Sequence, residues 1–137
     1  MFHIRSYDHI GVRVTDRERA AAFYARLGFR PEPNEDSPHY SALGLINDAG
    51  VRINLVYNGT PHPERNVLMD TSAKWPGYTH YAVLVDSLEA VLDWAEREGI
   101  AITEGPVVIG DRRTVAFIRD PDGNVIEFDE LLPEAGA

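Results

Sequence analysis

Apolar and polar residues alternate along YDHIGVRV at 7–14, with Ile10, Val12 and Val14 on one side and His9, Gly11 and Arg13 on the other. A period of two is that of a half-buried strand. The spacing then changes: Asp16 stands where a helix N-cap belongs, Ala20, Phe23, Tyr24 and Leu27 recur at intervals of three and four, and Gly28 closes the run. This pattern predicts an amphipathic helix. THYAVLV at 79–85 alternates again, Asp86 or Ser87 offers a second cap, and Leu88, Val91, Leu92 and Ala95 form a second apolar stripe ending at Gly99. Three strand-like stretches follow each helix, at about 29–35, 39–46 and 51–57 and at about 100–108, 113–119 and 124–131. Each half therefore reads β-α-β-β-β.

Aligning the halves pairs His9 with His80, an offset of 71, and Ile53-Asn54-Leu55 with Ile126-Glu127-Phe128, an offset of 73. Two units that cannot each bury a sheet face can do so by pairing, within a chain or across a dimer. The expected fold class is α+β, one domain built of two βαβββ modules. Module 1 spans about 5–57, a linker 58–76, module 2 about 77–131 and a mobile tail 132–137. The linker carries three prolines over nineteen residues without a clear period, which suits a lid over a site or a connection that lets the halves pair with another chain.

Composition narrows the functions. A chain of 137 residues that is 44% hydrophobic can bury one core but not two ordinary domains. Its net charge of −9, from 22 acidic and 13 basic residues, lacks the basic footprint of nucleic-acid binding, so no nucleic-acid partner is expected. The absence of cysteine removes disulfides and thiolate chemistry and leaves any metal to imidazole and oxygen ligands. No apolar run reaches membrane-spanning length and no signal core follows the start, so a soluble cytoplasmic protein without a membrane partner is expected.

Strand parity carries the chemical argument. In each proposed strand the apolar partners of the helix share one face, and His9, His80 and Glu127 fall on the other, with Asn54 at the place equivalent to Glu127. Two neutral imidazoles and a carboxylate can hold a divalent first-row metal with coordination positions left open for catalysis. Asn54 is an optional fourth ligand, weaker because its amide is neutral. Taken singly, a strand histidine is more often structural and a glutamate in a last strand more often solvated; the shared face and the repeat favour the set. Arg13 and Arg52 have the parity of His9 and Asn54, making them candidates for an anionic substrate group against the plainer role of surface salt bridges. Trp75, Tyr78 and Phe117 are candidate substrate-binding walls or simple core. His3 near the terminus, His39 at the start of a strand and His62 in the linker have no such support. The turn Asp120-Pro121-Asp122-Gly123-Asn124 sets the register of the last strand, and so the face Glu127 occupies.

DHIGVRVTDRERAAAFYARLGF, GYTHYAVLVDS and FIRDPDGNVIEFDE resemble the paired modules of the vicinal oxygen chelate, or glyoxalase/bleomycin resistance/dioxygenase, superfamily over nearly the whole chain. The resemblance implies a curved mixed-sheet cup around one divalent metal ion, a homodimer, and a small-molecule substrate with adjacent oxygens. It carries His9, His80 and Glu127 onto ligand positions of the first, fifth and eighth strands. VRINLVYNG and DPDGNVIEF resemble glyoxalase I, in which Glu127 would be both ligand and proton-transfer base while the metal stabilises an enediolate from the hemithioacetal of glutathione and a 2-oxoaldehyde. That comparison has a glutamate where this chain has Asn54. Extradiol dioxygenases share the triad of two histidines and a glutamate but commonly have a tyrosine where this chain has Phe117. Fosfomycin-modifying transferases share it too, yet have a threonine at the place of Gly11 and a serine-rich loop that this chain lacks. Drug-sequestering bleomycin resistance proteins keep the fold without metal. Glyoxalase I-like lyase and isomerase chemistry leads, with nickel, zinc, manganese or cobalt as metal; iron would favour the dioxygenase.

Overall fold

The computed structural model describes residues 1–63 and 65–133. The chain divides into two compact units, Met1–Pro63 and the remainder. In the first, β1 (Ile10–Arg13) leads to α1 (Arg17–Arg26), then β2 (Arg30–Ser37), β3 (Ala42–Ile46) and β4 (Arg52–Val56). In the second, β5 (His80–Leu84) leads to α2 (Leu88–Glu98), then β6 (Glu104–Ile109), β7 (Arg113–Arg119) and β8 (Val125–Leu131). The two sheets have the same order, β1-β4-β3-β2 and β5-β8-β7-β6. In each, the first strand pairs with the fourth in parallel and the other pairs are antiparallel. This is the βαβββ unit twice.

The helices start and stop where the side chains dictate. Asp16 accepts from the Arg19 backbone N–H and Ser87 from that of Ala90, which satisfies donors that the first turn leaves open. Gly99 ends α2 in the left-handed conformation, φ 67°, at no steric cost. In the first unit α1 lays Ala20, Phe23 and Tyr24 over a buried sheet face of Val12, Leu43, Leu45, Ile53 and Leu55. The register places Leu55 between Val12 and Leu43, and Ile53 beside Leu45. In the second, Leu88 and Ala95 of α2 belong to a core with Ala116, Ile118, Ile126 and Phe128. The opposite sheet faces carry Arg52 and Asn54 in the first unit and His80, Glu127 and Asp129 in the second.

Three expectations need adjusting. His39 does not begin a strand: with Pro38 and Tyr40 it forms a single 3-10 turn, because Pro38 suits the first position of such a turn and Ser41 reverses the chain at φ 52° before β3 opens at Ala42. The first strand is shorter than 7–14, and His9 lies one residue before its first paired position. The segment after Pro63 is not a bare linker. Arg65 donates to the Pro121 carbonyl at 2.6 Å, Asn66 to the Gly123 carbonyl at 3.0 Å, and Asp70 pairs with Arg119 at 2.7 Å. Of the expected tail at 132–137, residues 134–137 lie outside the described residues. Among the described residues no helix is long and apolar enough to cross a membrane.

The edge strands differ in character. β2 carries Pro31 and Pro33 among acidic residues, whereas β6, its counterpart, exposes Val107, Val108 and Ile109.

The turn before β8 is held by Asp120, which is 2% exposed. Its Oδ1 accepts from the backbone N–H groups of Asp122 and Asn124, both at 2.9 Å, and its Oδ2 from the Asn124 side-chain amide at 2.8 Å. Gly123 supplies the left-handed φ of 84° that the turn requires. Asp120→Ala removes these acceptors from a buried site. The expected loss is about 2–3 kcal/mol of unfolding free energy, to be read from urea denaturation.

Candidate metal and acid–base site

The register decides which side chains share a face. In the second unit His80 lies beside Val125, Ala82 beside Glu127 and Leu84 beside Asp129, while Phe117 of β7 lies opposite Glu127. His80, Phe117, Glu127 and Asp129 therefore occupy the sheet face turned away from α2. His80 Nε2 stands 3.2 Å from Glu127 Oε1, and the Phe117 ring meets the imidazole edge-on with centroids 5.8 Å apart. Thr79 Oγ1 is 2.9 Å from His80 Nδ1, so the ring is held from behind and presents Nε2 forward.

The first unit repeats this device. Asp8 Oδ2 lies 2.7 Å from His9 Nδ1, again a side chain of the preceding residue on the same ring nitrogen. The other Asp8 oxygen accepts from Arg52 at 3.1 Å, tying His9 to the level of β4 where parity predicts it. Asn54 lies between Gly11 and Gly44, on the face away from α1.

Glu127 is held above the usual carboxylate range. Its side chain is 13% exposed, and burial first, then the hydrogen bond and charge of Asp129, push its carboxyl up to about 7; Arg113 opposes this. Asp129, 1% exposed, binds Arg113 through Oδ2 at 2.7 Å. Its Oδ1 meets no donor while Glu127 is ionised. A proton on Glu127 gives that buried oxygen a partner, which adds to the larger effect of burial. The partnership with Asp129 was not anticipated from sequence; its signal was an acidic residue two positions after Glu127, on the same strand face.

His80 and Glu127 are spaced as two adjacent ligands of a divalent metal would be. At metal–ligand distances of about 2.0–2.2 Å, two donors 3.2 Å apart subtend about 100° at a shared ion, as adjacent ligands do. Both imidazoles offer Nε2, since each Nδ1 is engaged. Among the described residues no group of three or more His, Asp or Glu side chains is gathered to hold an ion. The second unit brings together His80 and Glu127, while His9 and Asn54 belong to the first.

The other candidates fall differently. Arg52 is surrounded by carboxylates, with Glu32 at 2.9 Å, Asp8 at 3.1 Å and Glu35 at 3.7 Å. Arg13 donates to Asn58 at 3.2 Å. Trp75 and Tyr78 are exposed, and Tyr78 precedes His80 by two residues. His3 and His62 are exposed as well.

The profile of the glyoxalase/bleomycin resistance protein/dioxygenase superfamily matches residues 6–128. The chain belongs to this superfamily. Lactoylglutathione lyase of Haemophilus influenzae is 32% identical over 130 residues, covering 89% of this chain and 90% of that protein. Two solved structures share the fold of this superfamily member. A glyoxalase/dioxygenase from Nostoc punctiforme superposes with a TM-score of 0.73 at 22% identity, over 95% of this chain and 92% of that one. An antibiotic binding protein from Streptomyces sp. CB03234 gives 0.70 at 23% identity, over 96% and 100%.

Because the folded metal-free protein holds a proton on Glu127 that the unfolded chain releases near 4.5, this group favours folding most below that pH. The contribution is lost as pH rises through about 7. Glu127→Gln should therefore gain stability relative to wild type between pH 5 and pH 8, measured by denaturation of the chelated proteins at each pH; parallel curves would contradict the assignment.

Proposed function

We propose that this chain is a metal-dependent enzyme that isomerises a small molecule with adjacent oxygens, by glyoxalase I-like lyase chemistry. The observation that carries this reading is the His80–Glu127 pair, with Nε2 and Oε1 3.2 Å apart on one sheet face. The likeness to lactoylglutathione lyase of Haemophilus influenzae supports the same reaction class. His9, His80 and Glu127 are the proposed ligands of one divalent metal. When bound, that metal supplies Lewis acidity to the paired substrate oxygens.

The chain's own part is acid–base work. A carboxylate placed beside the reacting carbon can take a proton from a carbon next to a carbonyl and return it to the neighbouring carbon, the two halves of an isomerisation. Asp129 keeps the proton within reach of Glu127, and Arg113 holds Asp129 from the other side. Phe117 walls one side of His80 and narrows the approach of water. Thr79 and Asp8 fix the two rings so that little reorganisation accompanies ligand binding.

The ligand-bearing face of the second unit also exposes Leu84, Val107, Ile109 and Leu131. Apolar side chains left bare on one face support a homodimer in which a second copy covers them. Sedimentation velocity at micromolar concentration should give about twice the mass of one chain, and a single-chain mass would defeat this part of the proposal.

Elemental analysis tests the metal. Wild type should carry one divalent ion per chain, and His80→Ala and Glu127→Ala should each lose stoichiometric metal while keeping their circular dichroism. Chelation should abolish turnover of methylglyoxal with glutathione, and one of nickel, zinc, manganese or cobalt should restore it. Stoichiometric iron with ring cleavage of a catechol would replace the lyase by a dioxygenase. Unchanged metal content in both variants would defeat the ligand assignment.

A further inference from the structure

The segment ahead of β1, Met-Phe-His-Ile-Arg-Ser-Tyr at 1–7, forms neither helix nor strand, and all seven residues are exposed. Phe2 at 79% and Ile4 at 88% are among the barest large apolar side chains of the described residues. In an extended chain Phe2 and Ile4 turn to one side and His3 and Arg5 to the other. The segment thus has an apolar face and a basic face, on a chain whose net charge is −9. A short amphipathic strand of this kind lacks only a sheet edge to pair with.

β6 has such an edge. Among the described residues it pairs with β7 alone, and beyond Pro106, which has no N–H, Val107, Val108 and Ile109 present both backbone groups and exposed side chains. Val107 and Ile109 lie opposite Val115 and Arg113, on the side of Phe117 and Glu127, while Val108 lies opposite Thr114, on the side of α2. That side is acidic: α2 exposes Glu89, Asp93, Glu96 and Glu98 against Arg97 alone. Phe-His-Ile laid along Val-Val-Ile sets Phe2 and Ile4 beside Val107 and Ile109 in either strand direction, and turns His3 and Arg5 towards the acidic helix. Apolar meets apolar on one face and base meets acid on the other. β2, the equivalent edge of the first unit, has no such match, because Pro31 and Pro33 withhold their N–H groups and its remaining residues are polar.

We infer that Met1–Tyr7 of one copy docks on the open edge of β6 in a second copy, adding a fifth strand to its sheet. The inference rests on the homodimer reading above and deepens it by naming what covers Val107 and Ile109. Both strips are bare in the single chain, and a two-fold dimer lets each copy give one segment and receive one. Main-chain pairing supplies affinity here, and the alternation of Phe2, His3 and Ile4 supplies the register.

The chain has no cysteine, so single introduced thiols report the contact directly. His3→Cys mixed with Val108→Cys and oxidised in air should give a disulfide-linked heterodimer in non-reducing intact-mass spectrometry, because these central residues face each other in either strand direction. His3→Cys mixed with Ser37→Cys, on the edge of β2, should give little. Deleting residues 2–6 should weaken dimerisation at least about tenfold in sedimentation velocity with circular dichroism unchanged, and Arg5→Glu should weaken it more at low salt than at high. Equal trapping at Val108 and Ser37 would overturn the inference, as would an internal bridge within one chain of the double variant His3→Cys/Val108→Cys. Dimers of wild-type affinity after the deletion would overturn it too and leave the homodimer standing on another interface. Should the deletion misfold, the trapping contrast decides. Wild type sedimenting as a single chain would defeat the homodimer and this inference together.

Discussion

A slip of one residue in the pairing of β5 with β8 would turn Glu127 into the core beneath α2 and push Ile126 out, since neighbours along a strand face opposite ways. Everything proposed for the metal and acid–base site depends on that register being held. Three devices hold it. Ile126 and Phe128 are anchored by burial, Asp120 ties the turn that launches β8, and Arg65 and Asn66 grip two carbonyls of the same turn from outside the sheet. The first unit relies on the same logic, with Ile53 and Leu55 buried on either side of Asn54. Apolar packing thus chooses the face, and polar chemistry takes what the other face leaves.

The parts legible in the sequence were those that follow from period. Alternation at 7–14 and 79–85, the stripes of two helices and the Asp-Pro-Asp-Gly-Asn turn announce the βαβββ order, and parity alone puts His80 and Glu127 on one face. The illegible parts depend on events that break period. The bulge in β2 turns on a left-handed Asn34 between prolines, and nothing in RPEPNEDS says where pairing resumes. His39 reads as a strand start because histidine tolerates either state, while Pro38 and the left-handed Ser41 decide for a turn. The segment from Arg65 to Tyr78 lacks any period because its order comes from contacts with the turn after β7, which are distant in sequence.

Charge placement separates the candidate acid from the many other carboxylates of this acidic chain. Asp8 and Asp70 are drawn below the usual carboxylate range, Asp8 by His9 and then Arg52, and Asp70 by Arg119. Glu127 goes the other way because it is poorly solvated, has a second carboxylate for a neighbour and feels only a distant share of Arg113. Raised and lowered groups side by side are how a protein makes one carboxyl an acid and leaves the rest as counter-ions.

The contrast between the edge strands bears on how this protein behaves when concentrated. β2 is defended by prolines, which cannot extend a ladder, and by acidic residues, which repel an approaching strand, but β6 beyond Pro106 offers a short bare edge of Val107, Val108 and Ile109. At neutral pH the net charge of −9 on each chain opposes edge-to-edge association beyond any specific pairing. That repulsion falls away near the isoelectric point of about 4.9, and the apolar edge of β6 then meets no long-range charge barrier to pairing with another strand.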